Sequence, residues 1–560
     1  MIFIEMKIPI LLKCTLLVFI NINICGAQVK LFTDFTNDKS RELPVHDIWS
    51  VANRISPTAG SNVREGLKMN IVRMIGGIKK DVNGVPQKDL DFDPCLYDSI
   101  NNVYVYRWEP LIERLDKLIN SHTEIFQIAL DQPPWAFQHG YTFIPNEERD
   151  SINFREHEKM SKYGNSLPPA NKQAYHDFIK ALMIKLVETY GKEKVLSWRF
   201  RVGSEIETPE HWYGTKQDFI EHFANTESAV RSVLPEAVIG LHTREPGFLK
   251  KGKRLNYKGE PFASFIEDLI DYNYANNIKC GFWGLSNYIT IDDTEDRDMR
   301  TKYSEIFAPL VNNPKWNPET TIDLMEYSTV TTMNGADGRG VLVTCETSHR
   351  DILELAYSNM FYKNGNKGLR FIYRWSNGIG SEDPTGIKEL KNMLGLIRYE
   401  TSVIGNPNTS TNELDAIFAR NATKNEYDVL VYNYNRNSLD YRKSEPIVVS
   451  FITDLPVGTK LYYRSKVYGK ANNKLQNFLV SNSNYVKSDF DNKGAPHRTL
   501  TREGYRAYKK YKNPNPSVFT EWESVITTAR KDGKAGSEVS VKTEIRSFAF
   551  EKLEFRPKML

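Results

Sequence analysis

The sequence predicts an α/β protein: a (β/α)8 barrel, of the TIM type, with a C-terminal β-sandwich. Three observations carry that expectation. Eight short apolar runs alternate with amphipathic helical stripes between residues 48 and 376. Beyond about residue 405 the helical stripes vanish, and β-rich runs separated by Asn, Gly, Pro and Ser replace them. The 560 residues are also too many for one core.

Taken in order, the chain opens on a targeting pattern. Lys7 and Lys13 precede the apolar run "CTLLVFINI", and Cys25-Gly26-Ala27 supplies small residues before Gln28. This predicts a signal peptide over 1–27, cleaved after Ala27, and a secreted or periplasmic mature protein. The apolar run is too short for a membrane span. The barrel is expected over 28–404 and the sandwich over 405–560, with "QVKLFTDF" (28–35) a candidate extra strand of the sandwich. Three cysteines remain after cleavage, Cys95, Cys280 and Cys345, an odd number that argues against a disulfide framework.

The expected barrel strands are "IWSVANRI" (48–55), "NIVRMIGG" (70–77), "EIFQIALDQ" (124–132), "VLSWRFRVGSE" (195–205), "AVIGLHT" (237–243), "GFWGLSNY" (281–288), "TIDLMEYS" (321–328) and "GLRFIYRWS" (368–376). Between them, helical spacing groups Trp108, Leu111, Ile112, Leu115 and Leu118. It also groups Tyr175, Phe178, Leu182 and Leu186, with Gly191 as the stop. Phe219, Phe223, Val230 and Val233 form a third stripe, and Phe262, Phe265, Ile266 and Leu269 a fourth. A doubly wound open sheet is the rival, but no glycine-rich dinucleotide loop follows the first strand. In the sandwich region "LDAIFAR", "YDVLVYNYN", "EPIVVSFIT", "KLYYRSKVY" and "RSFAFEKLEF" read as strands, and the polar stretch 487–516 as a long loop or insertion.

Composition narrows the function. Net charge is +4, with 40% hydrophobic and 26% charged residues, which fits a soluble globular protein and argues against a nucleic-acid partner. No zinc spacing or phosphate loop is present, so neither metal nor cofactor is expected. The acidic run "TIDDTEDRD" (290–298) reads as a solvated loop rather than a cation site. Nothing in the sequence sets the oligomeric state.

Chemistry on a (β/α)8 barrel sits at the C-terminal ends of the strands. Those ends carry Arg73 (strand two), Asp131 and Trp135 (three), Glu205 (four), His242 (five), Asn287 and Tyr288 (six), Glu326 (seven) and Trp375 (eight). Strands four and seven face each other across a barrel mouth, so Glu205 and Glu326 can converge. Two carboxylates flanking one bond are what glycoside hydrolysis requires. Trp135, Trp212, Tyr288 and Trp375 offer flat faces for sugar rings, although core packing explains Trp375 nearly as well.

With these residues in place, the chain resembles a clan A glycoside hydrolase, closest to glycoside hydrolase family 39. "WRFRVGSEIETP" resembles that group's fourth strand, which runs into Asn-Glu. "VLPEAVIGLHTREPG" resembles its fifth-strand passage, and "TIDLMEYST" its seventh strand ending on the nucleophile. "YDVLVYNYN" and "LPVGTKLYYRSKVYGKANNKL" resemble its attached sandwich. The resemblance implies a retaining enzyme acting on β-linked oligo- or polysaccharides. Glu205 would be the acid/base, Glu326 the nucleophile, Arg73 its ionising support, Tyr288 its neighbour and Trp375 the platform under the sugar. Ser204 and His242 join Arg73, Trp135, Tyr288 and Trp375 as expected substrate contacts.

Two departures matter. Ser204 stands where the family has Asn, and Arg201 where it often has an acidic residue. Strand alternation puts Arg201, Gly203 and Glu205 on one face, and a cation beside a general acid lowers its pKa. Either Arg201 is paired elsewhere or catalysis is impaired, which keeps a non-catalytic carbohydrate-binding barrel as the alternative. Arg73, Arg201 and Arg244 near strand ends, with Lys250, Lys251, Lys253 and Arg254 after strand five, also suggest an anionic substrate, sulfated or uronic. The competing reading spends the arginines on internal carboxylates and leaves the lysines in solvent.

Overall fold

Parallel strands need crossovers, and amphipathic helices supply them. The computed structural model describes residues 29–54, 67–73, 78–82, 85–89, 94–119, 123–130, 132–138, 165–209, 211–246, 255–290, 299–330, 348–374, 384–405, 412–421, 423–435, 444–490 and 496–558. The expected signal segment lies outside them. One parallel sheet contains eight strands: β1 (Val51–Arg54), β2 (Met69–Arg73), β3 (Ile125–Ala129), β4 (Arg199–Val202), β5 (Val238–Arg244), β6 (Phe282–Thr290), β7 (Thr321–Val330) and β8 (Leu369–Arg374). Their order is sequential. The Ile372 N–H of β8 donates to Ile48 O, just ahead of β1, at 2.8 Å and draws the sheet into a barrel.

The helical stripes form the outer layer. Helix α1 spans Glu109–Ile119, α2 Lys172–Tyr190, α3 Lys216–Arg231, α4 Ile266–Ala275, α5 His349–Lys363 and α6 Thr385–Asn392. In α2 the face Tyr175, Phe178, Leu182 and Leu186 is fully buried. Asn171 caps its start, and Gly191, at φ +84°, ends it in a conformation open to glycine. Thr215 and Asp218 form a reciprocal capping box on α3. Strand four differs from expectation at its start. Lys192–Leu196 is one more helical turn, so β4 begins only at Arg199.

Alternate residues of the strands fill the lumen. Val51, Met69, Ile71, Phe282, Met325 and Phe371 form a buried cluster there. Into it project Arg199 and Asp323, which form a buried ion pair. The Arg199 guanidinium lies 3.7 Å from the Phe282 ring centroid. Gly240 leaves room for that ring, since a Cβ there would stand 2.5 Å from Phe282 Cγ. The apolar floor is therefore pinned by one desolvated charge pair.

The sandwich has two sheets. One, five-stranded, runs Ser402–Ile404, Val29–Asp34, Ser444–Thr453, Ser537–Arg546, Thr528–Ala529. The other, seven-stranded, runs Arg41–Pro44, Ile397–Tyr399, Asn412–Asn421, Glu426–Asn435, Ala549–Arg556, Lys460–Tyr468, Glu523–Ile526. The sandwich thus takes in residues 29–44 and 397–404 as well as those beyond 405. Period-two alternation sorts its faces. Ala416, Phe418, Val429 and Val431 join the sandwich core, whereas Ile417, Ala419, Leu430 and Tyr432 join the barrel core. Asn359 of α5 donates to Tyr432 Oη at 3.0 Å across that seam.

The polar stretch near 487–516 is not a plain loop. Helices Lys474–Ser481 and Arg502–Lys510 and a hairpin of Val486–Phe490 with Pro496–Leu500 gather around Leu475, Phe478, Leu479 and Tyr508. Cys95 and Cys280 are both buried, and Cys345 lies outside the described residues.

Candidate active site at the barrel mouth

Simple alternation would turn Glu326 away from the lumen, because its neighbour Met325 packs inside it. A bulge corrects this. Leu285 pairs with Leu324, but the next residue, Ser286, pairs with Glu326. The extra residue re-aims the side chain, a use of bulges common near active sites. Tyr288 then donates its Oη–H to Glu326 Oε2 at 2.9 Å.

Glu205 is placed by a turn rather than by its strand. β4 stops at Val202, three residues earlier. Gly203 has φ +79°, and Glu205 itself has φ +45°, a strained value for a residue with a side chain. A Cβ on Gly203 would lie 2.4 Å from Ile206 Cγ2, so that position admits only glycine without rearrangement. The turn is fastened at Glu205 O, which accepts from Thr208 N–H at 2.9 Å and Thr208 Oγ1 at 2.7 Å. Glu207 locks it to the next strand. Its Oε2 accepts from Arg244 N–H at 2.9 Å, its Oε1 from Phe265 N–H at 3.3 Å, and burial pushes its carboxyl up to about 7. Both oxygens of Glu207 are thus engaged by backbone, which suits a brace.

The electrostatics centre on a cation that alternation could have flagged. Gly240, His242 and Arg244 share the inner face of β5. Arg244 Nη1 donates to Glu205 Oε1 at 2.8 Å, and His211 Nε2 lies 3.7 Å from Oε2. Burial alone would raise the Glu205 carboxyl. Arg244, His211, His242 and a hydrogen bond from Ser286 overcome it and hold Glu205 well below the usual carboxylate range. The Arg244 guanidinium also lies 5.7 Å from the Tyr288 ring centroid. Glu205 and Glu326 both act on Arg244 and on Tyr288, so one cluster joins the two carboxylates.

Other expected residues fall unevenly. His242 is fully buried beneath Glu205, with Ser286 Oγ 2.8 Å from Nε2 and Ser204 Oγ 3.3 Å from Nδ1. Ser286 donates its O–H to Glu205, so its Oγ accepts from His242 Nε2–H. His242 and Ser204 therefore form a support under Glu205, rather than the direct sugar contacts expected of them. Trp212 is core: its indole N–H donates to Thr215 O at 3.1 Å and its ring packs edge-on against Phe219. Trp135 is half-buried and opens a single 3-10 turn beyond β3. Arg201 points into the lumen with Nη1 3.7 Å from Met325 Sδ, and the leading cation on Glu205 is Arg244 instead. The side chain of Arg73, together with Asp131, Trp375, the 291–298 acidic run and the lysines after β5, lies outside the described residues.

The profile for glycosyl hydrolases family 39 matches residues 156–295. Over 449 residues the chain is 30% identical to the alpha-1,4-L-rhamnosidase of Formosa agariphila, covering 79% of this chain and 85% of that enzyme. The chain belongs to glycoside hydrolase family 39. This clan A glycoside hydrolase shares its fold with a GH39 enzyme from Xanthomonas axonopodis pv. citri (TM-score 0.57, 14% identity, 95% of this chain and 98% of that one). It also shares it with a monomeric beta-xylosidase from Caulobacter crescentus (TM-score 0.58, 13% identity, 95% and 100%). A family 39 hydrolase acts on carbohydrate. Among the described residues, no helix is long and apolar enough to cross a membrane.

Proposed function

We propose that this family 39 hydrolase is an exported, retaining glycosidase that releases α-L-rhamnosyl units from an anionic oligosaccharide, with Glu326 as nucleophile and Glu205 as acid/base. The observation that carries the roles is the shared cluster. Tyr288 holds Glu326 in place at 2.9 Å, and Arg244 ties Glu205 to the same cluster. In the first step a Glu326 oxygen attacks C1, the glycosidic C–O bond breaks, and Glu205 protonates the departing oxygen. In the second, Glu205 takes a proton from water as that water attacks C1 and Glu326 departs. Two inversions give net retention.

The name of the Formosa enzyme supports rhamnose as the sugar. It broadens the expectation of a β-linkage without changing the machinery. β-D- and α-L-pyranosides carry the aglycone on the same face of the ring, so one pair of carboxylates serves both. In the free protein Arg244 is spent on Glu205, as the competing reading expects, so the anionic character requires a substrate group that draws Arg244 away. Ser204 and Arg201 no longer favour a non-catalytic barrel, because Ser204 braces His242 and Arg201 sits against Met325.

Hydrolysis of aryl α-L-rhamnosides should exceed that of aryl β-D-xylosides, and NMR of the first-formed product should show the retained anomer. An inverted product would refute the mechanism, and faster xyloside turnover the sugar. Tyr288→Phe removes a hydrogen bond to an ionised group. It should lower kcat by about 10–100-fold. A wild-type rate would show that Tyr288 does not support the nucleophile. Export predicts Gln28 as the mature N-terminus, readable by mass spectrometry of secreted protein.

A further inference from the structure

The ion pair on Glu205 conflicts with the work of an acid. A general acid must hold a proton when the glycosidic bond breaks. Here Arg244 Nη1 sits 2.8 Å from Oε1 and His211 Nε2 3.7 Å from Oε2, and the carboxylate they surround is ionised. Every element around Glu205 contributes charged or polar groups. Its own turn brings His211 and Glu207, β5 brings His242 and Arg244 followed by Glu245, β6 brings Ser286 and Tyr288, and β7 brings Glu326. Of these, Arg244 combines a fixed positive charge with a long stem. It already lies beside Tyr288, the partner of Glu326, and so borders the space between the two carboxylates.

We propose that Arg244 exchanges partners when substrate binds. Its guanidinium leaves Glu205 for an anionic group, a sulfate ester or a carboxylate, on the sugar in the reactive subsite, and Glu205 takes up a proton as its counter-ion departs. This rests on the glycosidase reading of Glu205 and Glu326 and adds the event that arms the acid. A sulfate or carboxylate can engage the guanidinium fork with two parallel hydrogen bonds, and no neutral hydroxyl competes with Glu205 on those terms. Once the cation has moved, burial acts on Glu205 with less opposition and favours its neutral form. The balance is simple. The complex gains one anion from the ligand and one proton from solvent, which forms the Glu205 O–H bond, and no bond of the sugar changes until that proton passes to the glycosidic oxygen. A neutral sugar leaves the pair intact and meets an ionised acid. Selection for anionic sugars then appears in kcat as well as in KM, which a merely attractive surface charge would not produce.

The probes are an aryl α-L-rhamnoside and its monosulfate esters. Calorimetry on the Glu326→Gln protein near pH 7, in two buffers of different ionisation heat, should report uptake of about one proton per sulfated ligand and none with the neutral one. In the wild-type enzyme the alkaline limb of kcat should lie at higher pH than that of kcat/KM for a sulfated substrate. The two should coincide for the neutral substrate, because kcat/KM reports the free enzyme and kcat the complex. Arg244→Gln should erase that split, move the free-enzyme limb upward and lower kcat/KM on the sulfated substrate by about 100-fold. Arg244→Lys, which keeps the charge, should retain the low free-enzyme limb. Rhamnoside turnover without proton uptake or without the split overturns the exchange and leaves the rhamnosidase reading intact. So does sulfated ligand that binds no better than neutral. Proton-coupled binding without turnover of any rhamnoside overturns the substrate reading and retains the exchange. The proton count and the limb split need no Arg244 variant, so a variant that fails to fold leaves the test standing.

Discussion

Glu326→Gln is expected to lower kcat on aryl glycosides by roughly 10^4- to 10^6-fold, the scale on which losing a covalent nucleophile is felt. The amide keeps the size of the side chain and its contact with Tyr288, so the protein should fold normally and bind substrate. It cannot form the glycosyl ester. The sharper form of the experiment truncates the side chain and adds azide. In Glu326→Ala, azide can enter from the nucleophile's face and displace the aglycone directly, giving a glycosyl azide of inverted configuration. In Glu205→Ala, azide attacks the intact glycosyl-enzyme and gives the retained azide. Opposite stereochemical outcomes from the two variants would fix the roles. The same product from both, or near-normal rates in either, would show that the roles are misassigned.

The largest stability effect is expected from the barrel floor. Arg199 and Asp323 form an ion pair within the lumen, and both are almost fully excluded from water. Removing one partner leaves a desolvated charge, and breaking such pairs costs about 3–5 kcal/mol. Asp323→Ala should therefore destabilise the protein by that amount in equilibrium denaturation, far more than its lost volume implies. Arg199→Met with Asp323→Leu removes both charges together and should recover most of the loss. If the double variant is as unstable as Asp323→Ala, packing rather than charge explains the effect.

The fold was legible because its signals are local and repeated. Every barrel strand overlaps the apolar run that announces it, and the buried faces of α2 and α3 carry Tyr175, Phe178, Leu182 and Leu186 and Phe219, Phe223 and Val230 of the stripes that spacing defines. The glutamates were legible for the same reason, as carboxylates following strands four and seven. Their orientation was not. Nothing in "TIDLMEYS" marks the extra residue that turns Glu326 inward, because a bulge arises between two strands. Likewise "RVGSEIE" does not announce that Glu205 lies in a left-handed turn. Arg201 looked like the disturbing cation through sequence proximity, whereas Arg244, from the neighbouring strand, reaches the carboxylate in space. The role of His242 is not legible in sequence, since two distant hydroxyls define it, one from the turn after β4 and one from β6. The tract after residue 486 misled because polar side chains conceal Phe478 and Tyr508, which hold it together with an earlier helix.

The sandwich sets a schedule for the chain's birth. Val29–Asp34 lies inside the five-stranded sheet, paired with Ser444–Thr453 on one side and Ser402–Ile404 on the other. Lys30 is tied through its side chain to Glu538, 508 positions later. Strand Val29–Asp34 therefore waits for a segment made 508 residues later before its sheet is complete. At ordinary synthesis rates that delay is roughly 25–100 s. The barrel lies between these partners and has time to form while the strand ahead of it is still unpaired. Completion of the sandwich thus follows synthesis of the whole barrel, and removing either Val29–Asp34 or Ser537–Arg546 should leave the same sheet open.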